Sequence, residues 1–466
     1  MVATLSGDPR ALSFWHDSLS PEALRPRAAL RVGGDDAAEA DVAIVGGGLT
    51  GLWTAHHLLE REPGLRIRVL EKEIAGFGAS GRNGGWCSAL FPASAAALER
   101  RHGREAAAGM RRAMIATVDE VGASAESLGI ACDYAKAGTV VWARSPVQAR
   151  AGRAEVEAAR TFGTDELEFW EPGDPRLGAG VSRLDGAVFD PACARLHPAK
   201  LVRGLADSLE RRGALIHEGT AVTGWEPGRV HTEHGAVRAE RIVLATEAYT
   251  ARFRATRRRI LPLYSLMVAT EPLPAAFFDE IGLPHGRTFS DGRHLLIYGQ
   301  RTADDRIAFG GRGARYHLGS AIRPEYDRVA RVFAHLREAL RELFPAIGDP
   351  AITHTWGGPI GVPRDWHASV AFDPATGIAA AGGYVGDGLS TTHLAGRTLA
   401  DLLTGADTEL TRLPWVGHRS PDWEVEPLRF LGANAALVAT TAADTEERIT
   451  GRPSLLARLT AGLTGH

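Results

Sequence analysis

The chain has 466 residues, enough for two or three domains and a sizeable core. Its 53 basic and 56 acidic residues leave a net charge of −3, which argues against a global field for nucleic acid or an anionic membrane. Three distant cysteines without a CxxC pair (Cys87, Cys132, Cys193) argue against a disulfide framework or a structural zinc, and point to a reducing compartment.

Residues 1–38, mixed in Ala, Arg, Pro and Asp, read as an arm, and they lack the basic-then-apolar order of a signal peptide. A short apolar strand, Asp41 to Val45, leads into the glycines of GGGLTG. A helix over 49–61 follows, with Leu52, Ala55, Leu58 and Leu59 on one face. His56 and His57 are adjacent there and are expected to diverge, so no metal site is expected. Arg66 to Leu70 is a second strand, completing a βαβ-type start that implies a parallel sheet.

Further along, 105–128 reads as helix, 134–142 as strand, and 198–212 as helix before the strand ALIHE. ERIVLAT (240–246) is a buried strand, and strand-like runs recur at 263–270, 294–298 and 306–310. The ArgArgArg run at 257–259 reads as a solvated loop. A long helix is expected at 324–344, then strands at 352–358 and 377–382, and finally an apolar helix after GlyAspGly. No run approaches the roughly 18 apolar residues of a membrane span, so a cytoplasmic enzyme is the expectation. The alternation suggests two interleaved domains, one around a dinucleotide and one around antiparallel strands.

Gly46, Gly48 and Gly51 form GxGxxG: the first permits a tight turn, the second lets the backbone approach a pyrophosphate, the third lets helix and strand pack. The pattern alone is weak, since 54 glycines give about one match by chance, and Gly76, Gly78 and Gly81 make a second. Context favours the first, because AsnGlyGly follows the second and should not open a helix. Glu71 ends the second strand where an acid accepts ribose hydroxyls, which disfavours a 2′-phosphate. The glycine-rich stretch GFGASGRNGGW (76–86) then favours FAD over NAD, because a large planar ring needs small residues beside it. With no second framed GxGxxG for a nicotinamide reductant, electrons are expected to enter from the substrate.

VAIVGGGLTGLWTAHHL, LEKEIAGFGASGRNGGW, IVLATEAYT and GGYVGDGLSTTHLAGRTLADLL together resemble the FAD-dependent glycine, sarcosine and D-amino-acid oxidase superfamily. The branch of γ-glutamylputrescine oxidase is the most similar. The resemblance implies an α/β fold: a Rossmann-like, glutathione-reductase-type FAD-binding domain with an interleaved α+β antiparallel-sheet substrate domain. Its segments are expected at 39–115, 195–258 and 357–410 for the first domain and 116–194 and 259–356 for the second. Residues 411–466 form a C-terminal segment with an amphipathic helix that packs.

By the same resemblance Gly46, Gly48, Leu49, Thr50, Gly51, Glu71 and Lys72 would hold the ADP half. Gly78, Ala79, Ser80, Arg82, Asn83, Gly84, Gly85 and Trp86 would run beside the pyrophosphate and the ring. Val222 would bracket adenine, and Ala245 and Thr246 would lie beside the dinucleotide. Gly386, Asp387, Gly388 and Leu389 would open a helix whose N–H groups stabilise charge on the reduced ring. FAD is expected to be bound without a covalent bond.

Two departures from the resemblance matter. Amino-acid-specific members clamp the substrate carboxylate with an arginine or lysine after the stretches matching ITHTWGG or GDG, and here those read GlyGlyProIle and LeuSer. Arg312 and Arg364 are the cations nearest in sequence. The lysine that reduces oxygen in sarcosine-type members is also missing from RIAFGG, so oxygen or another acceptor stays open. The expected reaction is oxidation of a C–N bond in a small amine, by hydride transfer to the flavin and hydrolysis of the imine. A flavin monooxygenase, or a flavin-holding subunit without turnover, are the alternatives. Tyr298, Trp356 and Trp86 are candidate aromatic walls, and Asp387 is either a substrate contact or a helix cap.

Overall fold

The computed structural model describes residues 7–32, 37–164 and 166–464, with side chains to 459; the parts of the expected arm at 1–6 and 33–36 lie outside them. The apolar runs of the opening build an eight-stranded sheet. Ala37–Val45 pairs in parallel with Ile67–Leu70 on one side and Gly235–Leu244 on the other. Leu215–His217 extends the sheet beyond Ile67–Leu70, and Ile378–Gly382 and Ser369–Asp373 extend it beyond Gly235–Leu244. A hairpin of Val222–Glu226 and Arg229–Thr232 adds on the same edge of Gly235–Leu244.

Val42, Ile44, Val69 and Val243 are fully buried, as a sheet covered on both faces requires. Leu49–Arg61 covers it, and Gly388–Thr404 crosses that helix closely. The close crossing depends on Gly396, where a Cβ would lie 2.7 Å from the Trp53 backbone.

The second sheet also has eight strands, in the order Ile352–Val362, Leu261–Thr270, Ile307–Gly311, Ile297–Arg301, Thr288–Asp291, Thr139–Trp142, Ala187–Asp190, Glu168–Trp170. Its pairs are antiparallel except Thr288–Asp291 with Thr139–Trp142. Leu336, Leu340 and Leu343 of the helix Ala330–Leu343 pack on it.

Several boundaries differ from expectation. The division at 115/116 falls inside one unbroken helix, Arg104–Ser127, whose Met110, Met114 and Val118 belong to the first core. The division at 356/357 falls inside the strand Ile352–Val362, which pairs over its whole length with Leu261–Thr270. The strand expected at 294–298 begins three residues later, and the helix expected over 324–344 is a short 3-10 turn followed by Ala330–Leu343. The arm contains the short helix Phe14–Asp17, whose Phe14 and Trp15 are buried against Trp356. The C-terminal segment holds two helices, Leu428–Thr450 and Leu455–Thr464.

Candidate active site

Gly46 has φ +112, and a Cβ there would meet the Ala245 carbonyl oxygen at 2.5 Å. Only glycine fits this turn between parallel strands. A Cβ on Gly51 would press on Ile44 and on the Gly46 carbonyl oxygen, so this residue serves helix–strand contact and does not line the cavity. Glu71 accepts the Gly47 N–H at 2.8 Å and the Glu73 N–H at 2.9 Å. Burial pushes its carboxyl up to about 7, against the pull of those N–H donors.

The second glycine loop is tied to the first. Ser80 Oγ accepts the Leu49 N–H at 2.9 Å, and Gly76 N–H donates to Gly47 O at 3.1 Å. Contrary to expectation this loop does contain a helix, the single turn Ala79–Arg82, which AsnGlyGly ends rather than prevents. The Asn83 side chain folds back over the turn, donating to Ala79 O at 3.0 Å and accepting from Gly85 N–H at 2.7 Å. Arg82 is buried and donates to Asp327 at 2.7 Å, Gly357 O at 3.0 Å and Tyr249 at 3.2 Å.

A single cavity of about 1410 Å³ joins both loops to the second sheet. Gly46, Gly48, Leu49, Thr50, Glu71, Lys72, Val222, Ala245 and Thr246 line one part. Gly78, Ala79, Ser80, Arg82, Asn83, Gly84 and Trp86 line the middle, with Tyr298 facing Gly84 and bonded through its hydroxyl to Ser265 at 2.8 Å. Gly386, Asp387, Gly388 and Leu389 also line it. Gly85 does not: it packs behind the loop against Gln300 and the Leu196 carbonyl.

Trp356 requires a correction. It is 1% exposed, sits outside the cavity lining, and donates from Nε1 to the Arg82 carbonyl at 2.8 Å. It supports the loop from behind and is not an aromatic wall.

Asp387 occupies the N-cap of Gly388–Thr404 but makes no capping hydrogen bond through its side chain. Burial pushes its carboxyl up to about 6, while the Arg312 charge pulls it down. The stretches at 357–360 and 389–390 bring no cation to the cavity, but Arg312 does face it. Arg312 donates to Val385 O at 2.9 Å and lies 5.3 Å over the Trp366 ring. Among the described residues no carboxylate lies within ion-pair distance of it. Arg364 instead pairs with Glu424 at 2.9 Å.

Glu247 escaped the sequence reading. It has φ +44, accepts the Gly383 and Tyr384 N–H groups at 3.2 Å each, and so fixes the loop that leads to Asp387. An acid inside an apolar-strand motif was the available signal. His56 and His57, expected to diverge, both reach Glu60, at 3.3 and 2.8 Å, because it follows them by four and three residues. Arg212 donates to the other nitrogen of His56 at 2.8 Å.

The DAO family, described as FAD dependent oxidoreductase, matches residues 41–402. The chain belongs to this family. It is 30% identical over 396 residues to the gamma-glutamylputrescine oxidoreductase of Escherichia coli (strain K12), covering 82% of this chain and 88% of that protein. It is likewise 30% identical over 407 residues to the probable oxidoreductase OrdL of Rhizobium meliloti (strain 1021), covering 86% of this chain and 90% of the relative. A glycine oxidase of Pseudomonas aeruginosa is 26% identical over 80% of this chain and 97% of its own length. The glycine oxidase structure from Geobacillus kaustophilus superposes with a TM-score of 0.69 at 21% identity, covering 82% of this chain and 99% of that one.

As a DAO-family enzyme the chain is an FAD-dependent oxidoreductase, and its own residues fit the cofactor. The Gly46 position would be closed by any Cβ, the helix at Leu49 opens at the cavity, and Glu71 presents a carboxylate to it. Among the described residues no helix is long and apolar enough to cross a membrane.

Proposed function

We propose that this enzyme oxidises the C–N bond of an amine whose reacting carbon carries no carboxylate. The observation that carries the reading is Asp387 and Arg312 facing the same cavity as the dinucleotide loops. FAD, when bound, supplies a hydride acceptor, and the product imine hydrolyses to carbonyl and amine. Gly46, Gly48, Thr50 and Glu71 hold its ADP half, with Val222, Ala245 and Thr246 alongside; Lys72 lies at the same end. Ser80, Arg82, Asn83 and Gly84 lie beside its pyrophosphate and ring.

The amine must arrive neutral at the reacting position, and Asp387 and Arg312 would manage this. Asp387 takes the proton from the incoming ammonium on a carboxylate oxygen, and burial, which pushes its carboxyl up to about 6, narrows the gap in basicity between the two. Arg312, fixed on Val385 O and over Trp366, disfavours a second positive charge next to it. Tyr298 and Trp86, edge to face with ring centres 6.0 Å apart, orient the substrate over the loop at Gly84. The relative named as a gamma-glutamylputrescine oxidoreductase suggests an amine with its acid far from the reacting carbon.

The test is anaerobic bleaching of the bound flavin by putrescine and by ornithine, its α-carboxylated analogue. Putrescine should reduce it at least about tenfold faster, since Arg312 is held on Val385 O and over Trp366 and the stretches at 357–360 and 389–390 offer no other cation to an α-carboxylate. Equal rates would overturn the reading. If no primary or secondary amine bleaches the flavin, the chain is a flavin-holding subunit instead.

A further inference from the structure

The family match ends at residue 402, yet the cavity does not end there. Ala433, Ala436, Leu437 and Thr440, spaced along one face of Leu428–Thr450, line it together with Ala457 and Arg458. All four are half-buried, and Ala433 also packs against the cluster that holds Tyr316, Ile360 and Val385.

The wall is firmly placed. Asp444 accepts the N–H groups of His294 and Leu295 at 2.7 and 3.0 Å, and His294 meets Glu447 at 3.0 Å. Asn434 accepts from Tyr316 N–H and donates to Tyr316 O, both at 3.2 Å. His294, Leu295 and Tyr316 themselves line the cavity, so the helix is bonded to segments that share the lining. No charged group stands among the four helix residues and Ala457, and Arg458 is exposed.

We infer that the C-terminal helices form the specificity wall of the active site and receive an apolar arm of the amine substrate, remote from its reacting carbon. Against the four helix residues and Ala457 each methylene of an arm gains by burial, and Arg458 is the one charged lining residue of these two helices. The inference rests on the amine reading above, and binding is therefore measured apart from turnover.

The experiment follows perturbation of the visible spectrum of the bound flavin in the holoenzyme by straight-chain amines from propylamine to octylamine. In the native enzyme each methylene should tighten binding by up to about fourfold. Ala436→Phe should weaken octylamine at least about tenfold and propylamine less than about twofold, because the ring fills the space meant for the arm. Leu437→Ala, which introduces no bulk, should lower the dependence on chain length. Ala435→Phe, on the exposed side of the same helix, should change nothing. A flat series in the native enzyme, or equal weakening of short and long amines by Ala436→Phe, would overturn the inference. Tight, length-dependent binding without flavin reduction would leave the wall standing and sink only the oxidation reading.

Discussion

A carboxylate at a helix N-cap ordinarily bonds the exposed N–H groups of the first turn. Asp387 leaves them alone and faces the cavity, which separates it from a plain cap. Its carboxyl, pushed up to about 6, is charged above that value and neutral below it. As the proton acceptor it must be charged, so kcat/KM should fall as pH drops through about 6. Asp387→Asn should remove that limb and leave the amine's own ionisation as the dominant pH dependence. An unchanged pH profile would return Asp387 to a structural role. Glu71 is tested differently. Glu71→Gln keeps an acceptor but removes the charge, and charge-assisted bonds contribute about 1.5–3 kcal/mol. FAD affinity should fall by about one to two orders of magnitude, with turnover little changed at saturating FAD. Equilibrium titration of the apoprotein with FAD gives the answer, and an unaltered dissociation constant would mean that the ribose acid lies elsewhere.

The short helix Phe14–Asp17 shows what a pattern reading overlooks. Trp15 donates from Nε1 to the Asn83 carbonyl at 2.8 Å, and Ser13 Oγ donates to Gly81 O at 3.3 Å. The arm thus grips the back of the glycine loop that Trp356 also supports. Trp15→Phe keeps the ring and deletes one bond, so FAD affinity should weaken about two- to tenfold while the far-ultraviolet circular dichroism stays unchanged. No loss of affinity would make the arm mere packing. The loop itself was legible, because glycines needed for close approach leave a mark in any sequence. Glu71 was legible because it terminates a strand at a fixed distance. Trp15 and Glu247 were not, since each acts across a large sequence separation and neither belongs to a periodic local pattern; the C-terminal amphipathic helix was expected, but its place on the cavity was not. Trp356 misled for the opposite reason: an aromatic beside a glycine pair looks the same from sequence whether it faces a cavity or backs a loop. Arg312 could be named from its place after a strand, but only the fold turns it toward Asp387.

Taken as a unit, the enzyme joins its glycine loops and its second sheet around one cavity, and Cys87, which follows the second loop, is outside the lining. Cys87 is fully buried in the first core, and burial pushes its thiol well up. FAD is therefore expected to be held without a covalent link. Acid precipitation should release the yellow colour into the supernatant, and colour retained in the pellet would point to Cys87.

The parallel sheet also governs when the enzyme becomes able to hold its cofactor during synthesis. The first strand, Ala37–Val45, gains its second partner, after Ile67–Leu70, from the distant Gly235–Leu244, which in turn pairs with Ile378–Gly382. Chains whose contacts join such distant segments fold slowly and expose unpaired edges meanwhile. The fingerprint glycines leave the ribosome early, yet the loop at Gly386 and Asp387 that closes their cleft leaves it late. A nascent chain stopped before residue 386 carries the glycines and Glu71 and still lacks the loop and helix that complete the cavity wall, so firm flavin loading is expected only once that segment has been made.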